Sequence, residues 1–186
     1  MLRNLARLFR RNASEFKRAQ QGATAVEFAL IAPAFIALLI AIFETTIFLF
    51  AQSDLQAAAT QAGRLFMTGQ AQNGAMTPGQ IETAICPMVQ AMFNCGNLVI
   101  VVQSATSSSG LNTSSPQMYN SQGQLNNVAN AGTANYSPGT PGDLMVVFIG
   151  YPLPVVPGPL GFMLGNSNGT AAVWGVAAFR VEPYTS

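Results

Sequence analysis

The sequence predicts an α+β protein in which a long N-terminal transmembrane helix extends into a small extracytoplasmic domain, with a second helix and a three- to four-stranded antiparallel sheet. Three observations carry this. A basic start precedes an almost wholly apolar stretch of 24 residues, Phe28 to Ala51. Helical spacing persists beyond that stretch to about Met67. Three short apolar segments rich in β-branched residues then follow, separated by sequence rich in Ser, Asn, Gly and Pro. The expected organisation is a cytoplasmic basic leader (1–22), a transmembrane helix (23–53) and an exported domain (54–186).

Six of the eight Lys and Arg residues (Arg3, Arg7, Arg10, Arg11, Lys17 and Arg18) fall in the first 18 positions beside one carboxylate, Glu15. The leader therefore carries +5 and the rest of the chain −4. Leu2, Leu5, Leu8, Phe9 and Phe16 set against these cations read as a basic amphipathic helix at an anionic membrane surface. No nucleic-acid partner is expected, because the cations adjoin a membrane span and lack aromatic interleaving in a folded module.

Phe28 to Phe43 holds 16 residues without a charge, and after Glu44 the apolar character resumes as far as Ala51. As a helix, Phe28 to Ala51 is ~36 Å long, enough to cross a hydrocarbon core of ~30 Å with some tilt. Cations before the span and none after it until Arg64 keep the N-terminus in the cytoplasm and export the rest. An ordinary secretory signal does not fit. The apolar stretch is longer than such a signal uses, and no small-x-small cleavage site follows it. Pro33 is tolerated in a membrane helix, where neighbouring groups can take up the freed carbonyl.

Past the span, Leu55, Ala59, Ala62 and Phe66 fall on one stripe, with Gly69 as the stop. Thr77-Pro78-Gly79-Gln80 opens the second helix, expected over Pro78 to Phe93. Cys86 and Cys95, with eight residues between them, read by default as a disulfide in an exported domain. Two thiolates without a histidine would leave a tetrahedral metal site half empty. The expected strands are Asn97–Ser104, Leu144–Tyr151 and Ala171–Val181. Ala105–Thr140 is polar, uncharged and almost free of large apolar residues. It is expected to bury no core and to form a long mobile loop or an extra hairpin. Pro152–Gly169, apolar with four prolines, reads as a packed or membrane-brushing loop. Of the two inserts it is the one suited to a partner. Asn112, Asn135 and Asn168 begin N-x-S/T triplets of the kind chance produces in such a composition.

The chain contains no histidine, which removes the commonest general base and metal ligand. The six acidic residues after Gly22 show no paired spacing, and no lysine follows Lys17. An enzyme is not expected, and no cofactor.

At the membrane border the chain reads QQGATAVEFAL. Gly22 offers a Cβ-free backbone ahead of the span. Glu27, five positions on, places a carboxylate where entry into lipid would cost on the order of a few kcal/mol. Basic leader, Gly22, Ala23-Thr24-Ala25-Val26-Glu27-Phe28 and an apolar helix together resemble a class III prepilin peptidase site of type IV and Tad (Flp) pilins. GATAVEFALIAPAF, with Pro33 in the helix, resembles the TadE/TadF pseudopilin family. The closing FRVEPY is similar to that family's C-terminal strand, although Val181 stands where the family has asparagine. The resemblance implies cleavage after Gly22, with Ala23 as the new N-terminus. It further implies a Glu27 facing the free amine of a neighbouring subunit. Fold and function would then be those of a minor pilin- or pseudopilin-like structural component in Tad pilus assembly, held in the bacterial inner membrane with a periplasmic domain. Its partners would be the bilayer, other pilin or pseudopilin subunits and a prepilin peptidase. The alternative is an uncleaved single-pass scaffolding or binding module outside any filament, with Glu27 at the interface.

Overall fold

A computed structural model describes residues 20–155 and 169–183 of the chain. Contacts divide the chain into two compact units. Of the described residues, 20–43 belong to the first, and 44–155 with 169–183 to the second. The leader readings for residues 1–19, and those for 156–168 of the proline-rich insert, lie outside the described residues.

Helix α1, Gln20–Met67, contributes to both units and runs through Pro33. In the second unit Ala51, Leu55, Ala58, Ala59, Ala62 and Phe66 recur at spacings of three and four and are fully buried. The predicted stripe is thus the face that meets the core. Gly69, at φ 75°, supplies the left-handed residue that stops the helix. A single turn, α2 (Gln70–Asn73), leads to α3, Pro78–Val89. Thr77 and Gln80 form a reciprocal capping box at its start, with Pro78 in the first turn. Ile81, Ile85 and Val89 point into the core.

The second helix ends four residues before the predicted Phe93. Pro87 supplies no N–H near the helix end, and the N–H groups of Met92 and Phe93 converge on the Val89 carbonyl. This tightened turn carries Phe93 inward, against Tyr151, with ring centroids 4.7 Å apart.

The three strands are β1 (Val99–Ala105), β2 (Leu144–Pro154) and β3 (Thr170–Arg180), in the order β1-β2-β3, all antiparallel. The register sets Val102 opposite Val147, and Val147 opposite Ala177. Leu98, Ile100, Val102, Met145, Val147, Ile149 and Val173 face the helices, whereas Val99, Val101, Val146 and Phe148 face the other way. Glycine decides how close helix and sheet come. A Cβ on Gly175 would collide with the Leu55 carbonyl of α1, and one on Gly63 would press on Phe179 and Ala177. On the far face the Trp174 ring covers Gly150, its cross-strand partner.

Two sequence expectations are corrected. The first concerns Ala105–Thr140, which covers the sheet. Leu111, Met118, Tyr119 and Leu125 close the far face over Val99, Val101, Val146 and Phe148. Tyr119 and Leu125 pair across a short antiparallel bridge, a minimal form of the expected extra hairpin. Polar side chains replace regular structure as backbone partners. Asn120 Oδ1 accepts from the N–H groups of Gln122 and Gln124, and the side-chain amide of Asn126 donates to the Gln117 carbonyl. Asn130 does the same for Leu125. These are the local bonds that Asn favours in turns. Tyr136, half-buried, donates its hydroxyl to the Met76 carbonyl at 2.6 Å, and burial raises its pKa and keeps the proton in place.

The second correction concerns Pro152 and Pro154, which lie in β2 and not in the insert. Both groups of Val176 turn away from β2, so Phe148 and Val176 form a non-hydrogen-bonded pair. By alternation the nitrogens of Pro152 and Pro154 face away from β3. On that side β1 has already ended, with Val99 opposite Gly150. The missing N–H groups therefore cost the ladder nothing.

Each sheet edge is closed at one point by the chain itself. At β1, Val102 exchanges bonds with Asn135 and Ser137. At β3, the Gln56 side chain accepts from the Val176 N–H at 3.1 Å and donates to its carbonyl at 2.7 Å. One amide of α1 thus stands in for a residue of a neighbouring strand.

Gly175→Val should lower stability by about 1–3 kcal/mol, because the helix must lift off the sheet to admit the side chain. Thermal unfolding of the detergent-solubilised chain measures this. Gly22→Ala, where a Cβ would meet nothing within 4 Å, should leave the midpoint unchanged.

Candidate functional site

In the first unit, α1 offers a bare apolar surface. Residues 22–31 are exposed without exception, and Phe28, Leu30 and Phe43 are 73%, 76% and 66% exposed. In the second unit, Ile47, Leu49 and Phe50 continue in the same way before burial begins at Ala51. Each such side chain would gain roughly 1.5–3 kcal/mol on leaving water. A contiguous apolar surface of this kind marks a membrane or partner contact. Composition changes where exposure does. Phe, Leu and Ile dominate the bare part, and Ala dominates the part that meets the sheet. The helix is long and apolar enough to cross a membrane and fits a single-pass anchor.

Gly22, Ala23 and Glu27 lie together within the first turns of α1, all exposed. Gly22 has neither a positive φ nor a close neighbour, so packing within the described residues does not require glycine there. Glu44 behaves differently from Glu27. Both of its carboxylate oxygens are shielded from solvent, and among the described residues they have no hydrogen-bond partner.

In the second unit, the sulfurs of Cys86 in α3 and Cys95 in the following turn are bonded, with Cα atoms 5.7 Å apart. The bond ties the end of α3 to the chain that enters β1, while Cys95 packs on the core. It consumes both thiols. Among the described residues no group of three or more Cys, Asp or Glu side chains converges as a metal site would need. Burial raises the pKa of Glu82 on α3 without placing it near another acid in such a group.

Sequence reasoning found the apolar face and the cysteine pair. It missed Gln56, Gly175 and the shielding of Glu44. A glycine inside the apolar run Ala171–Val181 is the signal that could have found the close helix contact.

Residues 22–64 match the model of one protein family, described as TadE-like protein. No curated protein and no solved structure matches the chain.

Replacing both cysteines by serine should cost about 2–3 kcal/mol, the loop-closure value for a ring of this size. It should also remove the mobility difference between reduced and non-reduced samples on a denaturing gel. Thermal unfolding with and without reductant measures the first effect.

Proposed function

Starting from that TadE-like segment, we propose that the chain is a minor pilin- or pseudopilin-like structural subunit of Tad pilus assembly. The observation that carries the reading is the bare apolar helix whose exposed start holds Gly22, Ala23 and Glu27. Lipid covers such a helix before assembly, and the helices of neighbouring subunits cover it afterwards. A cut after Gly22 removes the cationic leader and leaves Ala23 with a free amine. Glu27 of an adjacent subunit then offers that amine a counter-charge inside an apolar bundle, where neither charge is stable alone. Gly22 suits the role, because the described residues set no packing demand at that position and a protease gains a Cβ-free backbone there. The leader faces the cytoplasm and the domain with its disulfide faces the oxidising periplasm, in keeping with the distribution of Lys and Arg.

The second reading is an intact single-pass module outside any filament. In its favour, α1 starts at Gln20 and passes through Gly22 without a break, as an uncut anchor would.

N-terminal sequencing of the protein from wild-type cells and from cells lacking prepilin peptidase separates the two. Processing gives Ala23 in the first and Met1 in the second. Met1 in both would rule out the processed subunit and leave the anchor.

A further inference from the structure

Among the described residues, Val176 and Glu182 are the two places where outward backbone groups of β3 and its C-terminal extension meet α1. Gln56 engages both groups of Val176, and the Glu182 N–H donates to the Met67 carbonyl at 3.0 Å. Between these points the alternation of the ladder turns the N–H and C=O of Ala178 and Arg180 outward. Ala178 is exposed, and among the described residues its outward groups have no partner. Beside this gap lies an open groove of about 360 Å³, lined by Thr60, Gly63, Arg64 and Met67 of α1 and by Val176–Phe179 of β3. At the β1 edge an opening of about 330 Å³ also exists, but there Asn135 and Ser137 already occupy the outward backbone groups of Val102.

We propose that this edge receives an extended segment of a different assembly subunit, which adds a fourth strand beside β3 and occupies the groove along α1. Open backbone groups supply the ladder bonds, and a sheet edge is a ready template for such pairing. The Gln56 amide already shows the geometry, holding one residue of β3 as a neighbouring strand would. Charge sets the chemistry of the occupant. Arg64 and Arg180 are the sole cations after Lys17 and Arg18. Both are exposed, Arg64 in the groove wall and Arg180 at the end of β3, where its Nε donates to the Gly142 carbonyl at 2.8 Å. The incoming segment therefore carries a carboxylate at this end.

A second copy of the chain is a poor occupant. Leu55 lies on Gly175, Gln56 bonds Val176, Gly63 meets Phe179 and Met67 bonds Glu182, so residues 55–67 of α1 run in the direction of β3. Antiparallel self-pairing of two β3 edges would set the two 55–67 stretches in opposite directions. Two chains anchored in one bilayer by the residues just before Ala51 do not share that arrangement.

The inference rests on the pilus-subunit reading, and the test separates the two. The native host is deleted for this protein and complemented with wild type, Ala178→Pro, Ala178→Thr or Arg64→Glu. Proline at 178 removes only an outward N–H, which the chain's own ladder does not use. Ala178→Pro should therefore accumulate as a membrane-bound, disulfide-bonded chain while surface pili fall at least tenfold. Ala178→Thr keeps the N–H and should restore pili. Arg64→Glu should reduce them about tenfold, and it decides the matter if the proline variant fails to accumulate. A photo-crosslinking residue at Thr60 should join a different subunit, and Ala178→Pro should abolish that adduct. Wild-type pili with Ala178→Pro or Arg64→Glu at normal protein levels would overturn the proposal, as would an adduct of two copies of this chain. Full piliation in the deletion itself would overturn the pilus reading and the edge proposal with it.

Discussion

The apolar surface that α1 leaves uncovered between Val26 and Phe50 is the constraint that organises the rest of the protein. A helix that exposes this many Phe, Leu and Ile side chains has no stable place in water. The chain changes character at Ala51. From there small residues take over one face, and the close approach of Gly63 and Gly175 lets the sheet seat itself directly on the helix. Lipid accommodates bulky side chains in any direction, whereas a sheet requires a narrow and nearly flat helix face. One helix meets both demands through the size of its apolar residues.

Much of this architecture was legible in the sequence because it is local. The stop at Gly69, the start of α3 at Thr77-Pro78 and the three strands each depend on a few neighbouring residues. What escaped detection is non-local. The insert 105–140 has too few apolar residues to show a period, yet Leu111, Met118, Tyr119 and Leu125 suffice because the face they cover is itself small. Its Asn side chains, which read as disorder by composition, hold turns together by bonding the backbone. Pro152 and Pro154 sit in β2 because β1 ends before reaching them, and the proline-rich sequence carries no trace of that. The site divides in the same way. Exposed apolar residues and a glycine near a membrane border are visible as strings, but the shielding of Glu44 and the pairing of Gln56 with Val176 depend on the fold.

Charge is used sparingly and in few places. The first 18 residues hold six of the eight cations, Glu27 and Glu44 interrupt the apolar helix, Arg64 lines the groove beside β3, and Arg180 holds the Gly142 carbonyl. A domain with so little charge gains little solubility from its surface. Its stability comes from burial, reinforced by the Cys86–Cys95 bond. These features suit a protein that works within an assembly at a membrane, where lipid and neighbouring subunits cover what water would not.

The most direct test of this account is alkaline carbonate extraction of membranes carrying the full-length protein, followed by protease treatment of intact spheroplasts. The account predicts that the chain stays in the membrane pellet until detergent is added and that external protease degrades the disulfide-bonded domain. Release of the chain into the carbonate supernatant, or a C-terminal domain protected until the cells are lysed, would contradict it.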